Sequence, residues 1–355
     1  MSEAKAEPDD DRPRAPRGVR RVGIGAIVGA AAALAVTSVM AFGSGAGNGS
    51  GAGQEAFNAP AGACLDWTSP DGADVRKVEC GQPHLFEAVG AVDLDGVFGV
   101  AAAFPAEEAW LAIVQEKCTP LANTFLTEKY DPFGMFSVGA LKPSQPGWRN
   151  GDRTLHCGLQ VVAQSGELYR TSGAAVGKDQ SDVHDPGTCL GIDGVDVGDP
   201  VDCAQPHAVE VVGVVDLAVA FPEADYPDEA KQDAAAEPVC TQLAADYAGG
   251  PTVVTDKKLT VYWDTLRPES WLAGTRKVDC KLGALLPDKS GFAPVTGGVK
   301  GAVAIGTAPA PPTPATAIPG APAPDPPPPA GTPPVGTESQ DTPSAGGPSG
   351  TSSDG

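Results

Sequence analysis

The sequence predicts an α+β fold made of two tandem, disulfide-stapled β-β-α-β-β repeats. Three observations predict it. A Cys-x-Gln-Pro-His-x-x-Glu motif occurs twice, as Cys80 to Glu87 and as Cys203 to Glu210, displaced by 123 residues. The same shift carries Trp148, Gly151, Arg153 and Cys157 onto Trp271, Gly274, Arg276 and Cys280; similar shifts carry Cys64 and Cys118 onto Cys189 and Cys240. Within each copy, one stretch of helical periodicity lies among segments that alternate like strands.

Residues 1–21 are polar, disordered in character and rich in arginine toward their end. Val22 to Phe42 then carries no charge over 21 residues. As a helix this stretch reaches about 30 Å, the thickness of a bilayer core, and is read as a single N-terminal transmembrane helix. Arginines before it and an acidic chain after it place the N-terminus in the cytoplasm and the bulk outside. The rival reading is a cleaved signal peptide ending at Val39-Met40-Ala41. Gly25 and Gly29 have the spacing that lets two membrane helices pack closely, which makes them a candidate dimer contact. Residues 43–60 read as a Gly/Ser-rich tether.

Repeat 1 is assigned to residues 61–164. Strands are expected at Val75–Cys80, His84–Leu94, Phe133–Leu141 and Arg153–Ala163. The helix is expected at Pro105–Leu126, with proline in its first turn, Glu107 and Glu108 near its positive end, and Trp110 on its apolar face. Pro120 is expected to end or kink it. A polar linker covers 165–186, and repeat 2, at 187–292, follows the same plan. Its strands fall at Val201–Cys203, Val209–Leu217, Leu259–Leu266 and Arg276–Leu286, and its helix at Asp228–Tyr247. Such a unit is an antiparallel sheet covered on one face by its helix. Residues 293–355, rich in Pro, Ala, Thr and Gly, read as a disordered, extended tail.

Eight cysteines in repeated positions beside an apolar N-terminal segment point to disulfides in an oxidising compartment. Four per repeat allow three connectivities. One of them closes a short loop (Cys64–Cys80; Cys189–Cys203) and staples helix to last strand (Cys118–Cys157; Cys240–Cys280). No Cys-x-x-Cys pair supports a zinc site, and a fully paired set leaves no nucleophilic thiol. The net charge of −21 argues against a nucleic-acid partner.

The candidate binding residues are those the repeat preserves: His84, Glu87, His207, Glu210, Trp148, Arg153, Trp271 and Arg276. A histidine and a glutamate three residues apart face opposite sides of a strand, so joining them needs a turn or bulge. The competing reading closes the turn structurally. An arginine near tryptophan can hold a carboxylate or a sugar face, or lock a loop onto the sheet. His156 becomes Asp279 in the second copy and His184 lies in the linker, so neither belongs to a repeated site. No enzyme signature occurs in the globular region, and no catalytic residue, cofactor or metal is assigned.

The repeated cysteines, with Pro83, His84, Glu87, Trp148 and Arg153 and their second copies, resemble the septum-formation-related domain of actinobacterial membrane proteins. The resemblance implies the two-repeat architecture and a link to septum formation and cell division, without catalytic residues. The expectation is therefore a non-catalytic protein of the cell membrane that binds or scaffolds envelope or division proteins. The alternatives are a module sensing wall fragments or a metal between the repeats, and a peptidoglycan hydrolase.

Overall fold

The computed structural model describes Ala56, residues 58–69, 72, 74–222 and 225–310, and the backbone of Val39–Phe42. It is mostly β-sheet with few helices and four disulfides. Two antiparallel sheets fit the tandem repeats, and both belong to one compact unit.

Strand β1 (Val39–Phe42) runs parallel to the edge of the first sheet. Repeat 1 continues with β2 (Cys64–Asp66), β3 (Arg76–Val78), β4 (Phe86–Asp93), α1 (Glu107–Phe125), β5 (Ser137–Pro143), the short helix α2 (Gln145–Arg149), β6 (Thr154–Val162) and β7 (Leu168–Tyr169). Repeat 2 comprises β8 (Cys189–Asp193), β9 (Asp196–Val201), β10 (His207–Asp216), α3 (Glu229–Ala248), α4 (Pro251–Asp256), β11 (Thr260–Trp263), α5 (Pro268–Leu272) and β12 (Lys277–Leu285). Strands β13 (Phe292–Ala293), β14 (Val295–Thr296) and β15 (Ala304–Ile305) close it. The order β5-β6-β4-β2-β3 in the first sheet reappears as β11-β12-β10-β8-β9 in the second.

Each helix lies on its sheet along a stripe of one residue per turn. In α1 the buried residues are Trp110, Val114, Cys118 and Ala122; in α3 they are Gln232, Ala236, Cys240 and Ala244. The central strand bulges beneath each helix, between Ala88 and Gly90 and between Val211 and Gly213. Glycine is needed there: a Cβ on Gly213 would stand 2.8 Å from Leu243, and one on Gly90, at φ 145°, 3.4 Å from Leu121. The opposite face of each sheet buries a second cluster, around Leu65, Trp67 and Phe86 in repeat 1 and Leu190, Val209 and Phe292 in repeat 2.

The bridges are Cys64–Cys80, Cys118–Cys157, Cys189–Cys203 and Cys240–Cys280, the short-loop and helix-to-strand pairing among the three connectivities. Each bridge contributes about 3 kcal/mol or somewhat more in the chain-entropy model.

The repeats meet through a buried polar seam. Asp131, fully buried, accepts hydrogen bonds from the hydroxyls of Ser270 and Thr275 across the boundary. Its backbone N–H donates to Gln180 Oε1, whose amide nitrogen donates to the Lys129 carbonyl at 2.7 Å. Arg267 covers the Phe133 ring at 4.5 Å, and Lys277 pairs with Asp179.

Four expectations are corrected. Pro120 does not end α1, which runs on to Phe125; residues of one buried stripe lie on both sides of it, and the sheet holds both halves in place. Residues 165–186 are more than a linker: β7 pairs with β6, and Thr171 exchanges two backbone hydrogen bonds with His84. The chain from 293 to 310 is folded, because Val295 and Val299 bury against the second core. Only residues 311–355 of the expected tail lie outside the described residues.

The fourth correction concerns the expected membrane helix. Its last four residues are strand β1, with Val39 opposite Ala140 and Phe42 opposite Pro143. An edge strand offers unpaired backbone groups, and Val and Phe are strand formers that can satisfy them. Residues 22–38, including Gly25 and Gly29, lie outside the described residues. Among the described residues no helix is long and apolar enough to cross a membrane.

Candidate functional site

The repeated motif builds the same buried cluster twice. After the second cysteine the chain turns on backbone hydrogen bonds, Gln82 N–H to Glu79 and Gln205 N–H to Asp202, both 2.8 Å. The histidine folds back so that Nδ1 lies 2.9 Å from a carbonyl two residues earlier, that of Gln82 in repeat 1 and of Gln205 in repeat 2. A carbonyl only accepts, so Nδ1 carries the hydrogen, and in the neutral ring Nε2 presents a lone pair.

The expected opposition of histidine and glutamate is removed by the backbone. In repeat 2 the pairing of β10 with β8 shifts register between His207 and Val209. In repeat 1 His84 sits in an isolated bridge to Thr171, ahead of β4. Both side chains therefore turn to the same side. Cys64, His84 and Glu87 each bring one polar atom within 4.8 Å of the others, and Cys189, His207 and Glu210 do the same. His84 is 1% exposed and Glu87 3%.

A segment missing from the sequence reading completes each cluster. The Ala175 N–H donates to Glu87 Oε2 at 2.6 Å, and the Val299 N–H to Glu210 Oε2 at 2.6 Å. Just before them, the N–H of Gly173 donates to Cys80, and that of Gly297 to Cys203. These glycines have φ of 88° and 91°, which a side chain rarely adopts. The signal was present: Thr171-Ser-Gly173-x-Ala175 and Val295-Thr-Gly297-x-Val299 stand 124 residues apart.

The two clusters differ in one atom. In repeat 2 the Tyr247 hydroxyl donates to Glu210 Oε1 at 2.6 Å. Burial, and then this bond to Glu210, push the tyrosine's pKa up. In repeat 1 the corresponding residue is Phe125. Its ring stands against Gly62 as Tyr247 stands against Gly187. Glu87 Oε1 consequently has no hydrogen-bond partner among the described residues, and His84 Nε2 has none either. Burial pushes the Glu87 carboxyl up, against the opposing pull of the Ala175 N–H and of His84.

Tryptophan and arginine form locks. The Arg153 guanidinium lies 3.7 Å from the Trp148 ring centre and donates to the carbonyls of Trp148, Gly99 and Val100. Arg276 covers Trp271 at 3.8 Å and donates to the carbonyls of Trp271 and Thr275. Trp148, Trp271 and Arg153 are buried. The hydrogen bonds of both arginines close loops onto the fold.

His184 and Asp279, set aside as unrepeated, are brought together. Asp279 accepts from the His184 backbone N–H at 3.1 Å and pairs with Nδ1 at 2.9 Å. That bond is the largest cause of the raised His184 pKa, with burial opposing it.

A family described as septum formation matches residues 61–280. An uncharacterized membrane protein of Mycobacterium tuberculosis, present in strains CDC 1551 / Oshkosh and H37Rv, is 34% identical over 269 residues, 72% of this chain. The chain spans 59% of the length of these relatives. No solved structure matches.

Proposed function

Since this chain belongs to the septum formation family, we propose that it is a non-catalytic binding or scaffolding protein of the cell envelope, acting in septum formation. Its M. tuberculosis relative is named a membrane protein, which supports attachment to the membrane through residues 22–38, with the repeats outside the cell. The observation that carries the binding reading is the fused pair of repeats. Two copies of one fold are held by the buried Asp131 seam, and many of the side chains they share serve disulfides, turns and loop locks.

A sensing site joining His84 to His207 is not supported: each lies in a separate buried cluster inside its own repeat. The test is crosslinking of the full-length protein in dividing cells, followed by affinity capture and mass spectrometry. Recovery of division or wall-synthesis proteins is expected. Recovery of glycan or peptide fragments without any protein partner would overturn the scaffold reading.

A further inference from the structure

We propose that the Cys64–Cys80 bridge of repeat 1 is a redox gate over a divalent metal site, formed by Cys64 Sγ, His84 Nε2 and Glu87 Oε1. The donors are already assembled, since one ligand atom from each residue lies within 4.8 Å of the other two. Two of them have no hydrogen-bond partner among the described residues although both side chains are more than nine-tenths buried. Two facing acceptors in a dry site are unfavourable unless a proton or a cation lies between them.

Two hydrogen bonds leave the remaining donor atoms available to a metal. The Nδ1–H bond to the Gln82 carbonyl aims the Nε2 lone pair inward, and the Ala175 N–H fixes the other carboxylate oxygen. A set of one sulfur, one nitrogen and one oxygen suits zinc or cobalt, with a fourth position open to water.

In the oxidised chain the sulfur of Cys64 is bonded to Cys80 and is not a thiolate. Cys80 is half-buried, whereas Cys64 is fully buried. A dithiol therefore reaches Cys80 first. Its thiolate attacks Cys80 Sγ, the S–S bond breaks, and Cys64 leaves as the thiolate. The second thiol loses its proton to solvent and attacks the mixed disulfide, which releases Cys80 as a thiolate that solvent protonates. The dithiol is oxidised to its disulfide and the protein takes up two electrons. A buried thiolate and carboxylate together carry two negative charges, which a divalent cation balances. The bridges Cys118–Cys157 and Cys240–Cys280 join fully buried residues and are not reached in this way.

Repeat 2 contains the same three residue types but is closed to the metal. Tyr247 and the Val299 N–H occupy both oxygens of Glu210. One ion per chain is therefore expected, in repeat 1.

The experiment uses the full-length protein, reduced by dithiothreitol under argon, desalted and titrated with Co²⁺. The expected result is one cobalt per chain with a thiolate charge-transfer absorption that Zn²⁺ displaces, and no such absorption before reduction. Phe125→Tyr, which brings the closing hydroxyl of repeat 2 into repeat 1, should weaken binding at least tenfold. Cys80→Ser frees Cys64 permanently and should bind cobalt without reductant, which tests the gate independently of how the reduced wild type folds. Absence of the absorption in Cys80→Ser, two ions per reduced chain, or equal affinity in Phe125→Tyr would each overturn the proposal.

Discussion

Repeats 1 and 2 share strand order, disulfides, bulges and loop locks, yet they fill two equivalent places with opposite chemistry. At the head of the helix stripe, repeat 1 has Trp110, packed edge-on against Trp148 and beside Phe104. Repeat 2 has Gln232, whose amide donates to the carbonyls of Pro227 and Leu266 and accepts from the Leu266 N–H. At the foot of the stripe repeat 2 is again the hydrogen-bonded copy: Phe125 leaves Glu87 short of a partner, while Tyr247 supplies one to Glu210. The backbone plan is thus indifferent to whether a buried corner is aromatic or hydrogen-bonded. Repeat 1 carries the open groups at both corners: Trp110 Nε1 and Glu87 Oε1 have no hydrogen-bond partner among the described residues.

The comparison breaks most severely if one corner is transplanted alone. Trp110→Gln should cost about 4 kcal/mol, because it opens a cavity and buries an amide that lacks the carbonyls available in repeat 2. Thermal or denaturant unfolding of the full chain would read this loss; a change below about 1 kcal/mol would mean that repeat 1 rebuilds the loop contacts.

Asp131→Ala removes the acceptor shared by Ser270 and Thr275 and should cost about 2 to 3 kcal/mol. Calorimetry should then resolve two unfolding transitions in place of one, since the buried acceptor joining the repeats is gone. Smaller again is Tyr247→Phe, expected to cost about 1 to 2 kcal/mol by leaving Glu210 Oε1 as bare as Glu87 Oε1. Phe125→Tyr should move repeat 1 the other way by about 1 kcal/mol, and the pair of variants gives the worth of one hydroxyl in two copies of one site.

The smallest effect is the pH dependence at His184. Its folded pKa is raised by the bond to Asp279, against burial, with Asp182 adding attraction and Lys281 opposing it. A raised folded value means that this contribution is full below the ordinary histidine range and is lost as pH rises through the folded value. The side chain is 26% exposed, so screening keeps the contribution below about 1 kcal/mol. Asp279→Asn should flatten stability between about pH 6 and 8; an unchanged profile would show that His184 stays neutral.

Much of the fold was legible because strong periodicity survives in both copies. The helices at Glu107–Phe125 and Glu229–Ala248 and the long strands at Phe86–Asp93 and Lys277–Leu285 lie within a few residues of their sequence expectations. Strands β2 and β8 were missed because three to five residues beginning at a cysteine are too short to show alternation. The segments carrying Ala175 and Val299 were missed because glycine and proline beside them read as linker or tail, although their backbone completes the glutamate site. The meeting of His84 with Glu87 was illegible for a different reason. It depends on where the backbone leaves regular pairing, at an isolated bridge for His84 and at a register shift for His207.

The four disulfides join cysteines strictly in order of appearance, first to second, third to fourth, and so on to the eighth. No bridge encloses or crosses another. A chain whose cysteines enter an oxidising space in sequence order would present each one's native partner as the next to emerge. Oxidation in step with export then yields the native set directly, and the slow reshuffling that nested bridges require is avoided. Such a pairing order lets the covalent framework close step by step as the chain emerges.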